Sequence, residues 1–136
     1  MPRLLVIFVG TVALIACGGS ASTDTPTEPI SRVGTYALQT VDAKPLPYPF
    51  PDAPGYELTA EMLTLNADNT FTARSDQRFT QGTQVTTASV ANKGTYAIDG
   101  VTLTLTFDGG QTVPTQFRGN NEIVSTASGH TWVYSR

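Results

Sequence analysis

The sequence predicts an all-β domain, an antiparallel meander of eight strands that closes into a small barrel. Residues 33–136 contain no window with the apolar spacing of an amphipathic helix, and apolar and polar residues alternate there with a period of two. Turn residues separate the alternating runs. An open sheet would expose two edges, which closure removes. A two-layer β-sandwich is the alternative, and the barrel is preferred because no long crossover interrupts the meander.

The alternation places each strand, and the turn signals place its ends. Pairs rich in Asn, Asp and Gly, such as 99–100 and 128–129, tolerate the positive φ that tight hairpins require. The predicted strands are residues 34–42, 58–66, 69–79, 85–98, 101–107, 111–118, 121–127 and 130–135. One face of each strand is expected to be buried. The predicted barrel interior consists of Phe71, Leu103, Leu105, Phe107 and Trp132.

The N-terminal residues have the pattern of an export signal. Arg3 precedes the apolar run 4–15, which is too short to span a bilayer but suits the core of a signal peptide. The run ends in Leu14-Ile15-Ala16-Cys17, which resembles the lipobox of bacterial lipoproteins. The resemblance implies cleavage after residue 16 and a diacylglycerol on the Cys17 sulfur, which would give the sole cysteine of the chain a role. Residues 1–16 are therefore predicted to be a lipoprotein signal peptide.

A segment rich in Ser, Thr, Pro and Gly separates Cys17 from the domain. Residues 17–32 hold one large apolar residue, Ile30, which is too little apolar surface to offset the entropy of ordering the chain. We expect a disordered tether with a mean reach of roughly 20 Å. Two acyl chains are enough for stable anchoring in a membrane. Gly18 in place of aspartate resembles an outer-membrane address, so the predicted location is lipid-anchored in the cell envelope, at the outer membrane.

The most unusual segment is the proline-rich stretch 44–57. Its prolines lack the N–H donor that a central strand needs, so we predict a stiff, extended loop outside the ladder. Leu46, Tyr48 and Phe50 alternate with the prolines. Two interpretations of these side chains are open. They plug the barrel mouth, or they form a lid or partner-docking surface that loses little entropy on binding.

Two copies of Gly-Thr-Tyr-Ala mark the domain, at 34–37 and 94–97, and Asp68-Asn69-Thr70-Phe71 lies between them. This order resembles the small lipocalin-like (calycin-type) domains of bacterial lipoproteins. The resemblance implies a barrel whose first connection folds over the open end. Shared strand chemistry accounts for the repeat, because the glycine permits strong coiling and the tyrosine packs into the core.

Composition and motifs argue against several classes of function. The net charge is −3 and Lys and Arg form no stripe, which argues against a nucleic-acid partner. His130, the one histidine, is interpreted as a partly buried strand residue beside Trp132, so no metal site, cofactor or catalytic residue is predicted. Glu57 and Glu61 would serve acid–base chemistry if they faced each other, which the sequence does not specify. The chain is therefore predicted not to be an enzyme.

Two functions remain. The first is a lipid-anchored cell-envelope binding module that holds a small apolar ligand in or at the mouth of the barrel. The alternative is a protein-interaction lipoprotein, either an envelope assembly factor or an inhibitor of a cell-wall enzyme. Residues 128–132 (SGHTW) are faintly similar to the Ser-Gly-x-x-Tyr motif of lipoproteins that inhibit lysozymes. The interior volume separates the two, because a cavity of about 300 Å³ or more favours a ligand carrier and a packed interior favours surface recognition.

Overall fold

The computed structural model describes residues 31–136, and this part of the chain is built from ten β-strands. The predicted signal peptide, Cys17 and residues 17–30 of the predicted tether lie outside the described residues. The strands are β1 (Gly34–Val41), β2 (Lys44–Pro45), β3 (Tyr48–Pro49), β4 (Tyr56–Leu65), β5 (Thr70–Gln81), β6 (Gln84–Asp99), β7 (Thr102–Phe107), β8 (Thr112–Arg118), β9 (Glu122–Ala127) and β10 (His130–Ser135). Within residues 31–136, no helix is long and apolar enough to cross a membrane.

Eight of these strands form one closed antiparallel barrel. Each strand from β4 to β10 pairs with the next along the chain, and β1 closes the ring by pairing with β10 on one side and β4 on the other. The prediction of an all-β barrel is confirmed. The sandwich alternative is wrong, since all of the strands belong to a single sheet. The predicted strand limits agree with the observed limits to within two residues, as 58–66 does with Tyr56–Leu65.

The proline-rich stretch departs from its prediction because parts of it join the ladder. β2 pairs with the end of β1, and β3 pairs with the start of β4. Both short strands lie at the margins of the sheet, where a strand has no partner on its other side and the missing N–H of Pro45 or Pro49 is accommodated. The prediction that 44–57 stays outside the ladder is therefore wrong at these two strands and at Tyr56 and Glu57, which begin β4.

Both Gly-Thr-Tyr-Ala repeats place their tyrosine in the core. Tyr36 in β1 and Tyr96 in β6 are buried. Gly94 is needed for a separate reason, because a Cβ at this position would overlap the carbonyl oxygen of Thr106 and the ring of Phe71. β6 therefore passes close over Phe71, and this close approach lets the ring fill the barrel.

One end of the barrel, called the closed end, is covered by the chain that enters the domain. The Arg136 guanidinium donates to the carbonyl oxygens of Ser31 (2.6 Å) and Val33 (3.0 Å). The Arg32 guanidinium lies 4.4 Å above the centre of the Phe117 ring. The closed end also carries the turns at 66–69, 100–101 and 119–121.

The opposite end, called the open end, carries the proline-rich stretch and three hairpin turns, at 82–83, 108–111 and 128–129. The buried core lies between Tyr36 and Tyr134, within the span of the ten strands. The strand pairings that close the barrel and the core described here lie within residues 31–136. We expect this unit to fold without the residues that precede it.

Candidate functional site

An apolar pocket of about 140 Å³ lies inside the barrel, in the half next to the open end. Its walls include Phe107, Val113 and Ala127, which adjoin the turns of that end. Carboxylate or hydroxyl groups in the lining come from Glu61, Thr115, Ser125 and Tyr134, and most of the other lining side chains are apolar. The pocket is therefore an apolar space with a carboxylate and a phenol on one wall.

The five residues predicted to form the interior divide between the packed core and the pocket. Phe71, Leu103 and Leu105 are buried, and Phe107 and Trp132 are partly buried against the core. Phe71 and Phe107 meet edge to face, with ring centres 5.0 Å apart. Leu105, Phe107 and Trp132 also line the pocket. The barrel is thus filled toward the closed end and leaves space toward the open end.

A β-bulge lets Glu61 face the pocket. Thr59 is the extra residue between the pairings of Leu58 and Ala60 with β5. Leu58 belongs to the buried core and Glu61 lines the pocket, although they are three positions apart. A regular strand would direct one of the two outward. The Thr59 hydroxyl donates to the carbonyl oxygen of Asp76 (2.9 Å) and supports the bulge.

Two hydroxyl groups hold the Glu61 carboxylate. The Tyr134 hydroxyl donates to Oε1 at 2.7 Å, and the Ser75 hydroxyl donates to Oε2 at 2.8 Å. Burial, and then the charge of Glu61, raise the pKa of Tyr134 well above its ordinary value, so the phenol stays protonated and donates. Each carboxylate oxygen has a further lone pair. Glu61 can therefore accept another hydrogen bond from a group in the pocket.

Glu57, the other carboxylate of β4, does not join this site. It pairs with Arg78, whose Nε lies 2.6 Å from Oε2 of Glu57. The two glutamates therefore do not face each other, and they form no acid–base pair. Among residues 31–136, no three His, Cys, Asp or Glu side chains gather as ligands for a metal ion.

The side chains of the proline-rich stretch pack into the open end beside the pocket. Tyr48 is 2% exposed, and Leu46 and Phe50 are partly buried against the core. The centre of the Phe50 ring lies 5.0 Å from that of Tyr48, 5.4 Å from His130 and 6.1 Å from Trp132. This packing favours the plug interpretation, because a lid or a docking surface would keep these side chains accessible.

Asp42 fastens this plug to β10. Its Oδ2 accepts a hydrogen bond from the Tyr48 hydroxyl at 2.7 Å and lies 2.7 Å from Nδ1 of His130. Its Oδ1 accepts the backbone N–H of Thr131 at 2.9 Å. The hydrogen bond from Thr131, followed by those of His130 and Tyr48, lowers the pKa of Asp42 to about 2. The carboxylate thus holds three groups of the open end together.

Sequence reasoning missed Asp42. His130 is partly buried, as interpreted, but its carboxylate partner lies 88 positions away in the chain. The available signal was local, because Asp42 is the last residue of the predicted strand 34–42, and aspartate at the turn that follows a strand often bonds to nearby backbone. Its backbone has a φ of 51°, and that of Ala43 has a φ of 61°. The turn that brings the carboxylate to β10 is therefore tight.

The fold and the site define a small closed antiparallel β-barrel with an apolar pocket toward one end and a carboxylate–phenol pair on the pocket wall. No protein-family model and no curated protein matches the chain. Among solved structures, the chain is similar to the crystal structure of the Cpx pathway activator NlpE from Escherichia coli, with 23% sequence identity and a TM-score of 0.42. The match covers 66% of this chain and 42% of that chain.

Proposed function

We propose that the protein is a lipid-anchored binding module of the cell envelope, and that its barrel admits one small apolar group through the open end, beside the plug formed by Leu46, Tyr48 and Phe50. The apolar pocket of about 140 Å³ is the observation that carries this proposal. A cavity of about 150 Å³ lined by apolar side chains stays dry and binds a molecule the size of benzene. An apolar occupant would supply the dispersion contacts that the walls of an empty pocket lack.

The pocket volume limits what can bind. Pockets that enclose a drug-sized ligand measure about 300–1,000 Å³. This pocket holds about 140 Å³, so the ligand places one ring or one short aliphatic end inside the barrel and keeps the rest outside. The volume is below the roughly 300 Å³ that would favour a carrier of a whole ligand, so the first of the two functions drawn from the sequence is narrowed to partial enclosure of the ligand.

The Glu61 carboxylate selects the polar part of the ligand. An amine or hydroxyl beside the apolar group would donate to Glu61, and a charged donor would form the stronger bond. A ligand carboxylate at the same place would meet like charge in an apolar surrounding. We assign the site to binding and propose no reaction there, since Glu61 already accepts from two hydroxyl groups and Asp42 holds His130 at the plug.

The proposed anchor and the pocket belong to opposite ends of the barrel. Residues 31–33 are held by Arg136 at the closed end, and the predicted tether leads from there to Cys17. If Cys17 carries lipid, the ligand reaches the open end from the aqueous side. Intact-mass spectrometry of the mature chain tests the anchor. We expect a chain that begins at Cys17 and carries a diacylglycerol, and an unmodified thiol would contradict the proposal.

A titration with matched probes tests the pocket. Residues 31–136 are titrated with benzylamine, benzene and benzoate, and the amide resonances are followed by NMR. We expect benzylamine to bind more tightly than benzene, and benzoate least tightly. Glu61→Gln should reduce the preference for the amine by about tenfold, because a charge-assisted hydrogen bond is replaced by a neutral one.

Two variants of similar size show whether the probes enter the barrel. Ala127→Phe fills the pocket, whereas Ala97→Phe adds the same ring at an exposed position of β6. We expect the first variant to abolish binding of benzylamine and the second to leave it unchanged. The proposal is wrong if the folded parent domain binds no probe, or if both variants bind equally well.

A further inference from the structure

The longest free strand edge of the described residues belongs to β6. β5 and β6 pair as far as their turn at 82–83, whereas β7 pairs with β6 only from Gly94 to Asp99. Residues 84–92 therefore have a strand on one side and none among residues 31–136 on the other. This part of the hairpin extends beyond β7, and its side chains are exposed.

The register shows which backbone groups face the free edge. Gln81 and Gln84 pair directly across a two-residue turn, so the N–H and C=O of Gln84 face β5. The direction alternates along the strand, so the N–H and C=O of Val85 and of every second residue after it face away from β5. The end of β7 agrees with this alternation, because the Asp108 N–H donates to the carbonyl oxygen of Lys93 at 3.0 Å. The outward-facing residues of the free edge are Val85, Thr87, Ser89 and Ala91. Unpaired groups at this spacing match another extended backbone.

This edge carries none of the features that block the addition of a strand. Residues 84–92 (QVTTASVAN) contain no charged residue, proline or glycine, and their pairing with β5 has no bulge. Many of the side chains are β-branched or small, which suits a paired strand. The charged residues Arg74, Asp76 and Arg78 of this hairpin lie on the neighbouring strand β5. Arg74 and Asp76 reach the edge at Ser89, whose hydroxyl donates to Asp76 and accepts from Arg74.

We propose that two copies of the protein pair through this edge, with their β6 strands antiparallel. The β6 edge of the second copy supplies the extended, uncharged and unpaired backbone with which the β6 edge of the first copy can pair. Antiparallel pairing of the edge with itself brings no like charges opposite each other. A second copy is therefore the occupant that the chemistry of the edge favours.

The position of Asp108 selects the register. A twofold axis at Thr87 places Val85 opposite Ser89 of the second copy. In this register the hairpin of the second copy ends before Lys93, so Asp108 of the same copy keeps its hydrogen bond with the Lys93 carbonyl oxygen. An axis at Ala88 would place the hairpin turn of the second copy on Asp108. The register at Thr87 forms about six main-chain hydrogen bonds and a favourable Thr–Thr contact.

Pairing at Thr87 joins the β4, β5 and β6 strands of both copies into one continuous sheet. Phe79 and Val90, which are 46% and 40% exposed, lie on the same side of the hairpin as the pocket residue Ala73. In the dimer these side chains from both copies share one face. The pairing therefore gathers apolar surface that each monomer leaves exposed.

Sedimentation equilibrium tests the association and its location. Residues 31–136 are compared with Thr87→Lys, which places two like charges opposite each other at the axis, and with Thr126→Lys, which adds the same charge at an exposed position of β9. We expect a concentration-dependent dimer whose dissociation constant rises at least about fivefold in Thr87→Lys and is unchanged in Thr126→Lys. A monomer up to about 1 mM overturns the proposal, as does a dimer that both variants leave intact.

Disulfide cross-linking tests the register. Cys17 is the sole cysteine of the chain, so a protein that consists of residues 31–136 has no cysteine. A cysteine introduced into it is therefore its single thiol. In the proposed dimer the two Thr87 Cα atoms lie about 5.5 Å apart, within the range that a disulfide spans. The two Val85 Cα atoms lie about 14 Å apart, beyond that range. Thr87→Cys should therefore give an oxidised dimer and Val85→Cys should not. Equal cross-linking of both variants, or of neither, rejects this register.

Discussion

Removing the hydroxyl of Tyr134 tests whether the hydrogen bonds around Glu61 stabilise the barrel. Tyr134→Phe keeps a ring that is 7% exposed and deletes the hydrogen bond of 2.7 Å to Oε1 of Glu61. A hydrogen bond to a charged group contributes about 1.5–3 kcal/mol. Glu61 is partly exposed, so water replaces part of the lost bond. We therefore expect the free energy of unfolding to fall by about 1.5–2 kcal/mol.

This loss is large enough to measure by two routes. In a domain of about 100 residues, 1 kcal/mol shifts the melting temperature by about 4–8 °C, so Tyr134→Phe should melt roughly 6–16 °C lower. Urea denaturation should give the same loss with an unchanged slope, since the variant exposes the same surface on unfolding. Glu61→Gln and the double variant complete a cycle that isolates the pairwise energy, expected to be at least about 1 kcal/mol.

Tyr96→Phe is the matched control for this experiment. Tyr96 is also 7% exposed, and its hydroxyl donates to the neutral carbonyl oxygen of Asn66 at 2.6 Å. A neutral hydrogen bond contributes about 1 kcal/mol. The reasoning is refuted if Tyr134→Phe costs no more than Tyr96→Phe, or if the effects of Glu61→Gln and Tyr134→Phe are additive.

Three further predictions use the same denaturation assay. The pKa of Asp42 is lowered from 3.8 to about 2, so the contribution of its carboxylate to stability is present above about pH 4 and is lost as the pH falls toward 2. Asp42→Asn keeps a residue that tolerates the positive φ and should flatten this dependence of stability on acid pH, and an unchanged curve would contradict the prediction. The raised pKa of Tyr134 makes its contribution to stability present below about pH 10 and lost above it. Stability should therefore fall more steeply above about pH 10 in the parent than in Tyr134→Phe, and parallel curves would contradict this. Gly94→Ala should lower the free energy of unfolding by about 1–3 kcal/mol, because its Cβ would overlap the Thr106 carbonyl group. The control Gly109→Ala places its Cβ in open space and should change the free energy of unfolding by less than about 0.5 kcal/mol; equal losses would show that the close approach of β6 is unimportant.

The strands could be predicted from the sequence because their signals are local. Alternation with a period of two and turn residues between the runs are sufficient to locate a strand such as β7, predicted at 101–107 and observed at Thr102–Phe107. Asp99-Gly100 marks the hairpin before it, and Gly100 has the expected positive φ of 58°. Local signals therefore determine where most of the strands begin and end.

The open end could be predicted only in part, because its contacts join distant parts of the chain. The side chains of the proline-rich stretch were recognised as a possible plug from their alternation with proline. The carboxylate that holds them, Asp42, meets His130 and Thr131 only after the barrel has closed. β2 and β3 were missed because two-residue strands at the margin of a sheet leave no periodic pattern.

The polar wall of the pocket could not be predicted because it depends on the register of a single strand. Leu58 and Leu63 are five positions apart, so a regular strand cannot bury both side chains. The sequence does not indicate which of the two would face outward. The bulge at Thr59 buries both and keeps Glu61 on the inner side. A partly buried carboxylate is tolerated only where donors meet it. Those donors come from β5 and β10, 14 and 73 positions away, so they are known only once the register is set. One inserted residue therefore determines whether this barrel has an apolar core alone or a pocket that can select a ligand.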